Sequence, residues 1–183
     1  RLLDAQRPLS SSHDEMLFIV MHQASELWMK LCIHELAAAI DHVRRDELGP
    51  AFKMLARVAR VQSQLTQSWS VLSTMTPADY SAFRNELGRS SGFQSLQYRT
   101  LEFLVGNKNS KMIEVFRRDP AEYAALERLL RQPSLYDECL RLLSRPVPSG
   151  SRPRGVLWTR RHTGPWSCRT RGGGARAPSP PGR

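Results

Sequence analysis

The sequence predicts an all-α protein, a helical bundle followed by a segment of different composition. Apolar residues recur at three- and four-residue spacing through most of residues 1–144, which is typical of helices with one buried face. Sustained alternation with a period of two is absent, and no Asn-Gly or Asp-Gly pair marks a hairpin turn. With 183 residues, 40% of them hydrophobic, the chain is long enough for one domain with an apolar core. We expect residues 1–144 to form that domain.

The first predicted helix is the longest and covers residues 14–45. It contains neither proline nor glycine, and Asp14 and Glu15 stand in its first turn, where acidic side chains complement the helix dipole. Gly49 and Pro50 are expected to separate it from the next helix, because proline suits a first helical turn. Its mostly apolar stripe comprises Leu17, Met21, Ala24, Trp28, Leu31, Glu35 and Ala38.

Six further helical segments follow. Residues 51–75 repeat the apolar stripe, and Thr76 then caps a third helix that has Pro77 at its first position. Asp79 is placed to bond back to the cap, and Gly88 ends this helix. The remaining predicted segments are 90–106, 110–118, 120–131 and 134–144.

Residues 145–183 differ from the body in composition. They hold nine arginines, no acidic residue, seven of the 11 glycines and seven of the 12 prolines, which predicts a disordered tail. The net charge of +10 is therefore concentrated there, since the body retains 18 basic against 17 acidic side chains. The tail is interpreted either as an arginine-rich arm that binds phosphate backbones or as non-native sequence from a frame error. The near-neutral body argues against a nucleic-acid partner for the domain itself.

The cysteine pattern and hydropathy bear on the compartment. Cys32, Cys139 and Cys168 are odd in number and lack the spacing of metal ligands, which fits a reducing cytoplasm. No uninterrupted apolar run approaches the length of a membrane span, and no signal peptide is recognisable. We therefore expect a cytoplasmic protein without a membrane partner.

Familiar phosphate-binding, zinc-protease and hydrolase motifs are absent, so any chemistry must come from side chains on separate helices. Phe18 and His22 share one face of the first helix, where His22 is either a satisfied interior residue or a polar group presented to a ligand. Pairing His22 with Glu26, or His34 with His42, gives no third ligand for a metal.

Two further candidates lie in the central part of the chain. Tyr80 and Arg84 also stand four residues apart, and an arginine fork beside an aromatic ring suits a carboxylate ligand, although an exposed arginine lying over its helix explains the pair equally. Ser90 or Ser91 can cap a helix, and Gly92 allows the backbone to approach a flat ligand.

Several stretches resemble the N-terminal and central part of the bacterial tryptophan 2,3-dioxygenase family. The resemblance is continuous over about residues 1–144, and its most specific motifs are MLFIVMHQ, SGFQSLQYR and FLVGNKN. It implies an all-α homotetramer that uses haem b and inserts both atoms of O2 into the indole ring of L-tryptophan. The implied product is N-formyl-L-kynurenine, formed in the first step of tryptophan catabolism by the kynurenine pathway.

The resemblance also implies roles for individual residues. His22 corresponds to the distal histidine that orients the substrate, and Arg84 corresponds to the arginine that holds the substrate carboxylate. The other implied tryptophan-pocket residues are Phe18, Ile19, Val20, Met21 and Tyr80. The implied haem-cavity residues are Trp69, Ser91, Gly92, Phe93 and Tyr98.

The sequence departs from the family pattern at both ends. The family's axial histidine is expected beyond the matching region, and the surroundings of His162 do not resemble it, so no metal ligand is assigned. We therefore expect this chain not to turn over tryptophan by itself. The alternatives are a non-enzymatic relative that binds tryptophan or haem or pairs with an intact subunit, and a nucleic-acid-associated helical protein that uses the basic tail.

Overall fold

The computed structural model describes residues 1–88, 94–145, 156–159 and 167–170. The chain divides into two units, Arg1–Ser144 and Arg145–Arg183, and each is described by itself. The first unit is helical throughout its described regular structure, which confirms the all-α prediction. Its α-helices are α1 (His13–Arg44), α2 (Leu48–Leu72), α3 (Pro77–Phe83), α4 (Leu96–Val105), α5 (Pro120–Arg131) and α6 (Leu135–Ser144), with 3-10 helices at Leu2–Asp4 and Ser110–Phe116.

Helices α1 and α2 form an antiparallel pair around which the domain is built. The turn between them lies at residues 45–47, earlier than the predicted break at Gly49 and Pro50. Asp46 makes this turn with a positive φ of 61°, a conformation that aspartate tolerates better than most residues. Pro50 stands instead in the first turn of α2, where the missing N–H breaks no helical hydrogen bond.

The main core lies where α1, α2 and α4 meet. Its buried members are Met29, Cys32, Leu36, Val58, Val61 and Leu101. Burial raises the pKa of the Cys32 thiol, so the group stays neutral as a small apolar residue. Glu35, the charged member of the predicted stripe, is also buried, and its Oε1 lies 2.5 Å from Nη1 of Arg57 on α2. The pair joins α1 to α2 at the edge of the core.

Helix α1 is long and apolar enough to cross a membrane by length and composition. It packs against α2, α3, α4 and α6, and its Met29, Cys32 and Leu36 side chains belong to the core just described. Glu26, Lys30 and Glu35 also interrupt its apolar sequence. In its most apolar 18-residue window 11% of the residues are buried, so core packing accounts for only part of its hydropathy.

The predicted start of the third helix is confirmed by a reciprocal cap. Oγ1 of Thr76 accepts a hydrogen bond from the backbone N–H of Asp79 at 3.2 Å, and the Asp79 carboxylate accepts from the Thr76 N–H at 2.8 Å. The Thr76 hydroxyl and N–H together hold the pKa of Asp79 below its usual range. The cap fixes the direction in which α3 leaves α2.

The fourth helix begins later than predicted. Its cap is Ser95, whose Oγ accepts from the N–H of Tyr98 at 3.0 Å, and the first helical residue is Leu96. The predicted start at residue 90 was therefore wrong for the cap, and residues 89–93 lie outside the described part of the chain. A hydroxyl immediately before the apolar run satisfies a first-turn N–H of α4.

A second, smaller core lies beneath α4, α5 and the segment before α5. Its buried members are Phe103, Ile113, Phe116 and Leu126. The predicted helix 110–118 is a 3-10 helix over Ser110–Phe116, which suits a short connector. Helix α6 is tied to α1 by Glu138, which accepts from Nε of Arg44 at 2.8 Å and from Nη1 of Arg141 at 3.0 Å.

Residues 145–183 contain a short antiparallel strand pair that the sequence did not predict. Strands β1 (Val156–Thr159) and β2 (Ser167–Thr170) pair with Val156 opposite Thr170 and Thr159 opposite Ser167. Neither four-residue strand carries the sustained alternation by which strands are recognised in sequence. The predicted disorder falls mostly on residues outside the described part.

Candidate functional site

Four aromatic rings meet between the N-terminal half of α1 and the short helix α3. The Phe18 ring centroid lies 4.0 Å from that of His22, 5.8 Å from that of Tyr80 and 5.6 Å from that of Phe83. Tyr80 and Phe83 pack edge to face, with centroids 5.6 Å apart. The helical periodicity produces this aromatic cluster, because each helix contributes two rings one turn apart. Phe83 is fully buried at its base, whereas His22 stands at its exposed edge.

The orientation of the His22 ring is set by its own helix. Nδ1 lies 2.8 Å from the carbonyl oxygen of Phe18. A carbonyl oxygen can only accept, so Nδ1 carries the proton and donates. In the neutral imidazole, Nε2 is then an acceptor. The local fold thus presents an aromatic plane with one acceptor nitrogen at the edge of the cluster.

Arg84 directly follows α3 and lies one turn beyond Tyr80. Its Nη1 donates to the carbonyl oxygen of Gly88 at 2.8 Å. Gly88 adopts a positive φ of 58°, which glycine allows without strain. This bond uses one of the five N–H groups of the guanidinium and fixes the direction of the arginine fork.

A cavity of about 430 Å³ adjoins the cluster between α1, α2 and the start of α4. Most of its lining is apolar or aromatic, and His22 belongs to both the cavity wall and the aromatic cluster. Its volume falls in the range of about 300–1,000 Å³ that is typical of small-molecule sites. The lining residues are Met21, His22, Ser25, Glu26, Met29, Leu65, Ser68, Trp69, Leu72, Ser95, Tyr98, Arg99 and Leu101.

Comparison with known sequences decides the family. Residues 1–145 match the family model described as tryptophan 2,3-dioxygenase. This chain belongs to the tryptophan 2,3-dioxygenase family. The assignment confirms the resemblance drawn from the sequence motifs, and it places the chain in a family of oxidoreductase enzymes.

Three curated relatives, each named tryptophan 2,3-dioxygenase, illustrate the match. The protein of Bradyrhizobium sp. strain ORS 278 is 61% identical over 145 residues, which cover 79% of this chain and 52% of the relative. That of Erythrobacter litoralis strain HTCC2594 is 61% identical over 145 residues, covering 79% and 55%. That of Burkholderia mallei strain SAVP1 is 61% identical over 144 residues, covering 79% and 47%. The chain thus spans about half the length of the tryptophan 2,3-dioxygenases it matches.

The structure brings together most of the residues singled out from the sequence. Phe18, His22 and Tyr80 form the cluster with Arg84 beside it, and Met21, Trp69 and Tyr98 line the cavity. Ile19 is half-buried and Val20 is exposed, and neither lines the cavity. Ser91, Gly92 and Phe93 lie outside the described residues.

Several residues of this site were missed by sequence reasoning. Phe83 lies three residues after Tyr80, and that spacing alone could have placed it in the cluster. Glu26 was considered only as a partner of His22 on a metal, but its carboxylate accepts from Ser95 and Gln97 instead. Among the described residues no group of three His, Cys, Asp or Glu side chains could hold a metal ion.

Proposed function

We propose that this chain is the N-terminal and central part of a haem-dependent dioxygenase that opens the indole ring of L-tryptophan with O2 to give N-formyl-L-kynurenine. One observation carries the proposal. The His22 side chain belongs both to the aromatic cluster and to the wall of the adjoining cavity. A substrate ring placed in the cluster would lie directly beside a group held in the cavity. The family assignment supports the same reaction.

The aromatic cluster and the adjoining Arg84 provide groups suited to the indole ring and the carboxylate of L-tryptophan. Phe18 and Tyr80 offer faces and edges for an indole ring, and Nε2 of His22 can accept its N–H. Arg84 can hold the carboxylate with paired charge-assisted bonds, since Nη1 alone is used by Gly88. These residues bind and orient the substrate, with Ile19, Val20 and Met21 of the same helix turn completing the pocket.

The cavity fits one side of a haem b group. Its wall is predominantly apolar, and the aromatic side chains of Trp69 and Tyr98 can lie against a flat macrocycle, with Ser91, Gly92 and Phe93 proposed to complete the rim. Haem supplies the binding and activation of O2 when it is held in such a site. Among the described residues, His22 is the histidine that lines the cavity, and it stands on the wall shared with the aromatic cluster. The described lining would therefore provide apolar and aromatic walls for the macrocycle.

Assembly as a homotetramer and a cytoplasmic location are part of the proposal. The exposed apolar side chains of Met16 and Leu27, on one face of α1, are consistent with a surface covered in an assembly.

A metal-free porphyrin tests the cavity, because it needs no axial ligand. We expect protoporphyrin IX to bind the purified chain saturably at one site and to quench tryptophan fluorescence. Trp69→Ala should weaken this binding by about tenfold or more, as expected for the loss of an aromatic contact. The matched control is Phe52→Ala, because Phe52 lies on the same helix, is 62% exposed like Trp69 and lies outside the cavity lining.

Two results would contradict the proposed haem cavity. One is the absence of saturable binding to the wild-type chain. The other is an equal loss of affinity in the Trp69 and Phe52 variants, which would indicate nonspecific adsorption to exposed aromatic side chains.

A further inference from the structure

A hydrogen-bonded connection joins α1 to the first turn of α4 at the edge of the cavity. Oε1 of Glu26 accepts from Oγ of Ser95 at 2.7 Å, and Oε2 accepts from Nε2 of Gln97 at 2.6 Å. The same Gln97 amide also donates to the backbone carbonyl oxygen of Glu26 at 2.8 Å. The two amide hydrogens and the serine hydroxyl hydrogen therefore all have acceptors on one residue of α1.

Ser95 transmits this connection into the helix. Its hydroxyl donates to Glu26 and at the same time accepts from the N–H of Tyr98 at 3.0 Å. Because a hydroxyl has a single hydrogen, donation to Glu26 turns its lone pairs toward the Tyr98 N–H. The carboxylate thus determines how well Ser95 caps α4, and the cap fixes the backbone of Tyr98.

Tyr98 connects the hydrogen bonds of Glu26 and Ser95 to the cavity wall. Its side chain lines the cavity and is 43% exposed, and the Arg99 guanidinium lies over its ring at 4.8 Å from the centroid. Glu26 and Ser95 line the same cavity. Residues 94 and 95 also follow directly on the segment that carries Ser91, Gly92 and Phe93, so the connection lies where that segment joins α4.

We propose that Glu26 is a positioning residue for the cavity wall, acting through Ser95 and Gln97 to fix the start of α4 and the place of Tyr98. The consequence for ligand binding rests on the proposed function, in which this wall contacts a flat macrocycle. The connection itself is independent of that function. The two parts therefore need separate measurements on the full chain.

Hydrogen exchange at the Tyr98 amide measures the connection directly. Glu26→Ala should accelerate this exchange by about tenfold, because the Ser95 hydroxyl loses its orienting acceptor. Glu26→Gln should accelerate the exchange less than Glu26→Ala, since its carbonyl oxygen can still accept from Ser95 while its NH2 group cannot accept from Gln97. In a chain that already carries Ser95→Ala, Glu26→Ala should add almost nothing to the exchange rate at Tyr98, because both changes act through one bond.

Glu138→Ala provides the matched control. Glu138 on α6 links that helix to α1 through one hydrogen bond from Arg44, accepts a second from Arg141 within α6, and lies outside the cavity lining. Glu138→Ala should lower the free energy of unfolding. Hydrogen exchange at the Tyr98 amide should then accelerate no more than exchange at the amides of α1. Equal acceleration in the Glu26 and Glu138 variants, or none in Glu26→Ala, would overturn the positioning role.

Binding of protoporphyrin IX measures the effect on the wall. Glu26→Ala should raise its Kd by about tenfold and Glu26→Gln by less, whereas Glu138→Ala should change it by less than about threefold. If the wild-type chain fails to bind the porphyrin while Tyr98 exchange responds as expected, the haem cavity is contradicted and the positioning of Tyr98 is upheld. If the porphyrin binds and Glu26→Ala leaves both readouts unchanged, the positioning proposal is overturned and the cavity stands.

Discussion

The Nδ1 atom of His22 lies 2.8 Å from the carbonyl oxygen of Phe18, one helical turn earlier on α1. This bond leaves Nε2 as the acceptor of the neutral ring, beside the aromatic cluster. The helix backbone therefore selects the tautomer before any ligand arrives. A substrate with a ring N–H gains a partner there, and one without it does not.

His22→Phe keeps an aromatic ring and removes the acceptor. We expect the wild-type chain to bind L-tryptophan more tightly than its 1-methyl analogue, by about tenfold for one hydrogen bond. In His22→Phe the two affinities should become nearly equal. Titration calorimetry with both ligands measures the ratio, and an unchanged ratio would show that Nε2 does not contact the indole nitrogen.

Arg84→Met should weaken L-tryptophan binding far more than porphyrin binding. The loss of charge-assisted bonds to a carboxylate corresponds to about 1.5–3 kcal/mol, or about tenfold to a hundredfold in Kd. Tryptamine, which lacks the carboxylate, should bind the wild-type and variant chains alike. Equal losses for L-tryptophan, tryptamine and porphyrin would make Arg84 a structural residue that acts through Gly88.

Glu15 links the N-terminal segment to α1 and gives the fold a pH dependence. Its carboxylate accepts from the N–H groups of Leu9 and Ser10, each at 2.7 Å, and from the Ser10 hydroxyl at 2.6 Å. The Leu9 N–H above all, with the Ser10 hydroxyl, holds the pKa of Glu15 below its usual range. The folded state therefore binds the proton less tightly than the unfolded chain does.

The sign of the effect follows from this difference in pKa. The stabilisation is complete above the unfolded-state pKa of about 4.3 and is lost as pH falls through the lower pKa of the folded state. Glu15→Gln should therefore reduce the free energy of unfolding at neutral pH. The difference in this free energy between variant and wild type should become smaller in acid. Denaturant titrations from neutral to acidic pH test this pH dependence. Glu86→Gln is the control for the loss of an exposed carboxylate. A free-energy difference between Glu15→Gln and wild type that grows in acid would contradict the lowered pKa of Glu15.

Gly106→Ala should destabilise the domain by about 1–3 kcal/mol. Gly106 ends α4 with a φ of 119°, and a Cβ atom there would lie 2.9 Å from Cβ of Tyr136 and 3.3 Å from Oγ of Ser134. Gly49→Ala is the matched control, because a Cβ at that helical position meets nothing within 4 Å. Thermal unfolding should show a lower Tm for Gly106→Ala and an unchanged or higher Tm for Gly49→Ala.

Local patterns made most of the helices predictable. The capping box of Thr76 and Asp79 depends on residues three apart, and the spacing of Phe18 and His22 fixes a shared helix face without any tertiary information. The start of α4 was less predictable, because Ser90, Ser91 and Ser95 are all chemically able to cap it. Ser95 is favoured by a contact with Glu26, 69 residues earlier in the chain.

The candidate site was predictable in part for the same reason. Sequence spacing paired Tyr80 with Arg84 and Phe18 with His22, but only the packing of α3 on α1 brings the two pairs together. The contacts of Glu26 were not predictable, since a carboxylate four residues from a histidine is equally suited to a metal. The strand pair of residues 156–170 carries too short a pattern to be recognised in sequence.

A chimera tests the central claim most directly. Residues 1–145 of this chain would replace the matching 145 residues of one of the curated relatives, which supplies the remaining half of its own length. The account predicts that the haem-loaded chimera converts L-tryptophan to N-formyl-L-kynurenine and that Arg84→Met within it raises KM for L-tryptophan by at least about tenfold. A folded, haem-loaded chimera that forms no product, beside a relative that does, would contradict the claim that these residues build the tryptophan side of a dioxygenase site.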